Sequence, residues 1–270
     1  MDLYAVVGNP IAHSKSPLIH SMFAEQTGES MVYEKIEAPL DGFNKTVKDF
    51  FAQFNGKGLN VTVPFKEQAW DVCFSRTERA ELAGAVNTLF LDDHGQICGD
   101  NTDGIGLVMD IKAQGIELKG KKILIVGAGG AVRGILQPIL KEHPAQLCIC
   151  NRTVSKAEAL ANMMKGMGEV EFGSVESFNE AFDIVINGTS ASLNGELPPL
   201  QNTIITKHTV CYDMMYGAEE TVFNAWARSK GALKVIDGLG MLVGQAAEAF
   251  SIWRGVVPET KNVMTALRSL

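Results

Sequence analysis

Between Ile123 and Asp237 the chain repeats one alternation, a short apolar run followed by a longer stretch of helical character, and this limits its fold more than any other feature. The runs are "ILIVG" (123–127), "QLCIC" (146–150), "EVEFG" (169–173), "DIVING" (183–188), "TVCYDM" (209–214) and "LKVID" (233–237). Several are apolar at consecutive positions, as suits strands covered on both faces. Strands of that kind joined by helices build a parallel sheet with crossover connections. Six of them predict a doubly wound, Rossmann-type domain of the nucleotide-binding kind.

The first run opens into "ILIVGAGGAVRGIL", a glycine-rich turn set between a buried strand and a helix. Gly127 permits the tight turn, Gly129 lets a phosphate approach the backbone, and free N–H groups at the helix start favour an anion. Val132 stands at the sixth fingerprint position, where Gly or Ala is usual, so a looser helix–strand contact is expected there. A purely structural βα turn is the plain alternative. After the second run, "CICNRTVSK" has no Asp or Glu to accept from ribose hydroxyls. Asn151, Arg152, Thr153 and Lys156 offer donors and positive charge instead, which suits a 2′-phosphate and therefore NADP over NAD.

At 270 residues the chain is long for one hydrophobic core and suits two domains. The first hundred residues carry less regular strands: "LYAVVG" (3–8), "MVYEKIEA" (31–38), "GLNVTV" (58–63), "AVNTLFL" (85–91) and "QICG" (96–99). Helical spacing over 240–253, and again near 263–269, falls after the sixth strand of the later half. These helices are expected to return to the N-terminal part and make the first domain discontinuous. The predicted division is 1–102 plus 238–270 for one α/β domain and 103–237 for the other, with "NGELPPLQN" (194–202) as a surface loop.

A formal charge of −7 gives no electrostatic case for nucleic acid or an anionic membrane as partner. No window approaches the roughly 18–20 apolar residues of a membrane span, and "MDLYAVVGNP" is unlike a secretory signal, so a cytoplasmic chain with a small-molecule ligand is expected. Five scattered cysteines without CxxC, and five histidines without paired spacing, point to core filling and to no metal site.

Three segments of the first half concentrate polar groups. "GNPIAHSKSP" (8–17) holds Ser14 and Ser16 two apart, able either to donate to one carboxylate or to cap the helix that follows; His13 and His20 read as structural. In "NVTVPFKEQ" (60–68), Pro64 has no N–H for a central ladder, so the strand must stop and bring Thr62 and Lys66 to its end. "GDNTDGIG" (99–106) carries Asp100 and Asp103 into a helix start, where Asp is ordinarily a cap or dipole partner. A second role arises if Asp103 meets a basic group, and Lys66 is the candidate.

"GNPIAHSKSP", "NVTVPFK", "AVNTL", "GDNTDG", "GAGGA", "NRT", "DMMY" and "DGLGMLVGQAAEAF" stand in order along nearly the whole chain, and in this the sequence resembles the shikimate dehydrogenase family, specifically its NADP-dependent biosynthetic type. The resemblance implies reversible reduction of 3-dehydroshikimate to shikimate with NADPH, a step of aromatic amino acid biosynthesis. It implies that Ser14 and Ser16 bind the substrate carboxylate, that Thr62, Asn87 and Gln245 hydrogen-bond the ring hydroxyls, and that Asn60 and Tyr216 complete the pocket. Lys66 and Asp103 become the catalytic pair, Asp103 also holding a substrate hydroxyl. On the cofactor side, Gly127, Ala128, Gly129, Gly130 and Ala131 match the phosphate turn, and Asn151, Arg152, Thr153 and Lys156 the adenosine phosphate site. Met214 and Gly238 match the nicotinamide end, with Thr189, Ser190, Met241 and Glu78 as further cofactor residues. Lys156 stands where relatives often have a second arginine, which keeps the charge but removes one forked contact. The same resemblance implies a substrate pocket facing the nicotinamide across a cleft that closes, in a monomer or homodimer. The alternatives are a quinate/shikimate paralogue with broader substrate and NAD use, and a nucleotide-binding module without catalysis.

Overall fold

The computed structural model describes residues 1–269. The chain divides into two compact units, residues 1–106 with 242–270 and residues 107–241. Each is built on a six-stranded sheet with helices between its strands, an α/β architecture. Among the described residues no helix is long and apolar enough to cross a membrane.

In the first unit the order along the chain is β1 (Asp2–Gly8), α1 (Ser16–Thr27), β2 (Met31–Glu37), α2 (Phe43–Ala52), β3 (Gly58–Val61), α3 (Lys66–Val72), β4 (Ser75–Arg76), α4 (Glu78–Ala83), β5 (Thr88–Leu91) and β6 (Ile97–Asp100). The sheet order is β2-β1-β3-β5-β6-β4. β1 pairs in parallel with both β2 and β3, β5 runs antiparallel to β3 and β6, and β4 is parallel to β6. The two-residue β4 escapes a sequence reading because it is too short to show a period. β3 stops at Val61, before Pro64, and β5 begins at Thr88, although Asn87 just before it already accepts from the Val61 N–H (2.8 Å) and donates to the Asp100 carbonyl (3.0 Å). Val86 N–H donates to the Lys66 carbonyl (2.8 Å).

The chain steps from β1 to β2 on one side and returns past β1 to β3 on the other, so right-handed crossovers put α1 and α2 on opposite faces of the sheet. The side chains follow this division. Ala5, Val7, Leu59 and Val61 enter a core with Phe43, Val47, Phe50 and Phe51 of α2. Tyr4 instead meets Trp253, and Phe23 of α1 meets Phe250, at centroid distances of 4.9 and 5.7 Å. The chain then crosses between the units within α5 (Asp103–Ala113).

The second unit runs β7 (Lys122–Val126), α6 (Gly130–Leu140), β8 (Gln146–Cys150), α7 (Val154–Met163), β9 (Glu171–Gly173), β10 (Ile184–Asn187), β11 (Val210–Asp213), α8 (Val222–Ser229) and β12 (Lys234–Ile236). Its sheet is parallel throughout, in the order β12-β11-β10-β7-β8-β9. Both faces are covered: Ile123, Ile125, Leu147 and Ile149 are as buried as Leu124, Val126, Cys148 and Cys150 between them. All five cysteines are free and buried, and burial pushes the thiols of Cys148, Cys150 and Cys211 up to about 12. They act as small apolar residues. β9, at the edge, is shorter than the run 169–173 because it has only β8 to pair with.

The chain returns to the first unit within α9 (Leu239–Arg254) and ends in α10 (Lys261–Arg268). Gly244 of α9 lies against Gly106 of α5, where an added Cβ would come within 2.7 Å of the Gly106 carbonyl oxygen. That close crossing lets Gln245 reach Asn87, just before the start of β5.

His20 of α1 is fully buried in the aromatic face of the first unit, stacked on Tyr33 at 4.2 Å and 6°. Neither ring nitrogen has a partner in hydrogen-bond geometry among the described residues, and burial lowers its pKa from 6.5 to about 3, against a weaker opposing pull from Asn60. Between these two values the unfolded chain carries a proton that the folded chain lacks, so this contribution to stability falls with pH from about 6.5 toward 3. The loss approaches ~1.4 kcal/mol per pH unit within that window. Urea midpoints measured across it should fall more gently in His20→Phe than in the parent; equal slopes would show that another group is responsible.

Candidate active site

The first sheet reverses its strand order at β1 and β3, and in open α/β sheets the crevice beyond the carboxyl ends at such a point is where ligands bind. β1 ends at Gly8 and β3 at Val61, joined by the Thr62 N–H to Val7 carbonyl bond (2.9 Å) and the Asn9 N–H to Val63 carbonyl bond (3.1 Å). β5 runs the other way, with Asn60 opposite Thr88, so its starting end lies at this same edge. Thr88 in turn faces Asp100 of β6. Loops 9–15, 62–65, 85–87 and 101–102 therefore emerge together, and they carry or border Ser14, Ser16, Thr62, Lys66, Asn87 and Asp103.

Lys66 opens α3 and Asp103 opens α5. Lys66 Nζ donates to Asp103 Oδ2 at 2.5 Å, the two side chains being 31% and 15% exposed: covered enough to be ordered and open enough to meet a ligand. Asn87 Nδ2 donates to the other carboxylate oxygen, Oδ1, at 2.8 Å. Asn87 Oδ1 accepts from the Thr102 N–H (2.9 Å) and from the Thr88 hydroxyl (2.9 Å). Gln245 Oε1 lies 3.5 Å from Asn87 Nδ2, its own Nε2 donating to the Leu242 carbonyl (2.8 Å). Asn60 Nδ2 donates to the Asn87 carbonyl at 3.1 Å, while the Tyr33 hydroxyl donates to Asn60 Oδ1 at 2.7 Å. Lys66, Asp103, Asn87, Gln245 and Asn60 thus form one connected group.

The turn before Asp103 is anchored from behind. Asp100 is 3% exposed and accepts from the Thr77 hydroxyl (2.5 Å), Arg79 Nε (2.7 Å), Arg79 Nη2 (2.6 Å) and the Asn101 N–H (2.7 Å). Arg79 also reaches Glu248 of α9 at 2.8 Å. Asn101 Oδ1 accepts from the Asp103 N–H (3.1 Å), so the carboxylate that meets Lys66 is set by a chain of fixed groups.

The serine turn does not cap α1. The N-cap residue is Lys15 and makes no side-chain cap bond; Ser14 Oγ accepts from the Ser16 N–H at 3.3 Å, and Ser16 is 8% exposed. Thr62 is half-buried with no side-chain partner among the described residues. These hydroxyls keep donors for a ligand. Tyr216 belongs to the second unit, is 36% exposed, and has its phenol pKa raised by burial and by the Asp237 carboxylate.

In the second unit the strand order reverses at β7 and β10. Gly127, just past β7, has φ +111°, and a Cβ there would meet Thr189 Cγ2 at 3.1 Å and the Gly188 carbonyl carbon at 3.2 Å. At Gly129 and Gly130 an added Cβ meets nothing within 4 Å, so the outside of the turn is open. Gly129 is the N-cap of α6, offers no side-chain cap, and no acid stands in the first turn. Unshielded N–H groups at an open turn fit the diphosphate of a dinucleotide. At the end of β8, Asn151 Nδ2 is used on the Thr153 carbonyl (2.9 Å), while the exposed Arg152 and Lys156 have no side-chain partner among the described residues and fit a phosphomonoester. Val132 does not loosen the contact. It is fully buried, and Gly188 supplies the room, since a Cβ there would collide with Val132 Cγ2.

Met214 is buried after β11, Gly238 follows β12 and donates its N–H to the Met215 carbonyl (3.1 Å), and Met241 is 9% exposed in α9. Thr189 donates its hydroxyl to Asn187 Oδ1 (2.8 Å), and Ser190 precedes the short helix Ala191–Asn194. Glu78 opens α4 in the first unit and is not grouped with these residues within one unit. Asn101, Thr102, Thr88, Tyr33 and Arg79 escaped the sequence reading; the one signal available was the two Asn-Thr pairs, at 87–88 and 101–102, adjoining apolar strands.

Residues 6–89 match the family model "Shikimate dehydrogenase substrate binding domain", residues 110–197 match "Shikimate / quinate 5-dehydrogenase", and residues 238–268 match "Shikimate 5'-dehydrogenase C-terminal domain". The shikimate dehydrogenase (NADP(+)) of Hahella chejuensis is 59% identical over 269 residues, covering 99% of each chain. Among solved structures, an Ael1 enzyme from Pseudomonas putida is 45% identical with a TM-score of 0.95, covering 99% of this chain and 98% of its own. The Thermus thermophilus shikimate 5-dehydrogenase, solved with NADP(H) and shikimate, is 33% identical with a TM-score of 0.86, covering 100% and 99%. Matched along both units and at its C-terminal end, the chain belongs to the shikimate dehydrogenase family.

Proposed function

We propose that this chain catalyses the reversible, NADP-dependent reduction of 3-dehydroshikimate to shikimate, as a cytoplasmic step of aromatic amino acid biosynthesis. The observation that carries the reading is the Lys66–Asp103–Asn87 cluster at the strand-order reversal of the first sheet, with the Ser14, Ser16 and Thr62 hydroxyls on neighbouring loops. The names of relatives more than half identical support the same reaction and the same cofactor. We assign substrate binding to the unit of residues 1–106 with 242–270 and cofactor binding to residues 107–241.

A nicotinamide dinucleotide held there would supply the hydride for the ketone carbon, and the alkoxide that develops would need a proton. Lys66 Nζ has one N–H on Asp103 and two left for the carbonyl oxygen, so it stabilises that charge and delivers the proton. Asp103 fixes the ammonium with Oδ2, and the lone pairs left on its oxygens accept a ring hydroxyl. Ser14 and Ser16 donate to the substrate carboxylate. Thr62, Asn87 and Gln245 would hydrogen-bond the ring hydroxyls, with Asn60 and Tyr216 completing the pocket, and a buried amide such as Asn87 left unpaired by the wrong substrate is costly. Gly127, Ala128, Gly129, Gly130 and Ala131 would hold the diphosphate, and Asn151, Arg152, Thr153 and Lys156 the 2′-phosphate. Met214 and Gly238 would flank the nicotinamide, with Thr189, Ser190, Met241 and Glu78 as further cofactor contacts.

Lys66→Ala should lower kcat roughly 10²- to 10⁴-fold with little change in KM for shikimate, read from the absorbance of NADPH formed. Normal turnover in that variant would sink the assignment. Arg152→Ala should raise KM for NADP+ by about tenfold or more, the loss of one charge-assisted contact, while KM for NAD+ stays put; equal effects on both would remove Arg152 from the 2′-phosphate site.

A further inference from the structure

We propose that Thr88 is a positioning residue: its buried hydroxyl sets the orientation of the Asn87 amide and couples the substrate-pocket side chain Asn60 to the Asp103 carboxylate. This rests on the catalytic reading of Lys66 and Asp103 above and adds a residue that touches neither substrate nor cofactor. Thr88 is the first residue of β5 and has no exposed surface.

A threonine hydroxyl has one proton and two lone pairs, so its partners decide its direction. Asn60 Nδ2 approaches Thr88 Oγ1 at 3.2 Å, Asn87 Oδ1 lies 2.9 Å away, and the Thr102 hydroxyl, which itself donates to Asn87 Oδ1 at 3.2 Å, is farther off at 3.5 Å. The Asn60 amide cannot be reversed. Its Nδ2 also faces the Asn87 backbone carbonyl at 3.1 Å, which only accepts, and its Oδ1 receives the Tyr33 hydroxyl at 2.7 Å. Thr88 therefore accepts from Asn60 and gives its one proton to Asn87.

The Asn87 amide is constrained in the same sense. Its Oδ1 faces the backbone N–H of Thr102 at 2.9 Å, a group that only donates, which turns Nδ2 toward Asp103 Oδ1 at 2.8 Å. The result is one series of hydrogen bonds with a single polarity: Tyr33 to Asn60, Asn60 to Thr88, Thr88 to Asn87, and Asn87 to Asp103, whose other oxygen holds Lys66. Thr88 is the link at which the pocket side of the series meets the catalytic side. Without its hydroxyl, Asn87 Oδ1 loses a donor and Asn60 Nδ2 an acceptor, and the carboxylate that holds Lys66 is freer to turn.

Thr88→Val keeps the volume and removes the hydroxyl, Thr88→Ser keeps the hydroxyl and removes a methyl group, and both are compared with the parent. Turnover of shikimate with NADP+ should fall about tenfold in kcat for Thr88→Val, with KM for NADP+ unchanged, and stay within about threefold of the parent for Thr88→Ser. Thermal midpoints should order the two variants differently, because the methyl group lost in the serine variant leaves a small void. Unchanged kcat in Thr88→Val, or equal loss in the two variants, overturns the proposal in favour of plain packing. A readout free of turnover separates it from the reaction assigned above. The Asn87 side-chain NH2 pair in a ¹⁵N–¹H spectrum, assigned by its loss in Asn87→Asp, should shift and exchange faster with solvent in Thr88→Val and not in Thr88→Ser. That pattern in a parent inactive on shikimate would leave the positioning role standing and the reaction wrong; an unmoved NH2 pair in Thr88→Val would refute the role directly.

Discussion

A right-handed crossover places its helix according to the direction in which the chain steps along a sheet, so a chain that reverses its direction of travel must switch faces and leave a crevice where it does so. Both sheets of this chain contain such a reversal, one at β1 and β3 and the other at β7 and β10. The residues proposed for catalysis and cofactor binding gather at these two places. Substrate-type side chains stand at the first and an open glycine turn at the second. In the first sheet, the antiparallel β5 adds what a purely parallel sheet would lack. Its start lies at the same edge as the ends of β1 and β3, which brings Asn87 beside Thr62 and Lys66 without a long loop.

Polar groups at that edge are held by groups of graded exposure. Deepest is Asp100, whose carboxylate has four donors, two of them from Arg79, so its burial leaves no unpaired charge. Asn101 passes this fixed position to the backbone of Asp103. The last pair, Lys66 with Asp103, has 31% and 15% of its side-chain surface open. Charged groups arranged this way are fixed from behind and open in front, as preorganised charge requires.

The second sheet was legible because its strands are buried on both faces and read as continuous apolar runs, with ends misplaced by one or two residues at most positions. The first sheet was harder, since β2 is largely exposed and β4 has two residues. Lys66 and Asp103 are 37 residues apart, and the sequence could offer only that each follows a strand; their meeting depends on β5 and β6 being antiparallel, which no local pattern encodes. The serine turn was ambiguous between a cap and a ligand site, and the geometry removes the cap because Lys15 takes the N-cap position. Val132 misled in the opposite direction. The fingerprint asks for a small residue on the helix, and this chain puts the small residue on the strand side, at Gly188. Thr88 and Thr102 were invisible because a threonine in a strand or turn looks the same whether its hydroxyl is satisfied by solvent or by an asparagine.

The same local device recurs in both units. At the first reversal Asn87 accepts from the backbone N–H of Thr102 and donates to Asp103; at the second Asn187 accepts from the backbone N–H of Thr189 (3.2 Å) and donates to Asp213 Oδ1 (3.0 Å). In each case an asparagine at a strand end satisfies a loop N–H and fixes a carboxylate with the two ends of one amide. The carboxylates then diverge. Asp213 has no exposed surface, takes the Ser192 hydroxyl (2.8 Å) and the Met215 N–H (3.1 Å), and has its pKa raised by burial against those donors. With no cation among its partners in the described residues, it serves to tie the loop after β10 to the loop after β11, the two that carry Thr189, Ser190 and Met214. Asp103 has fewer donors, more surface and a lysine. Exposure and one cation separate a carboxylate that holds loops together from one that can hold a proton donor in place.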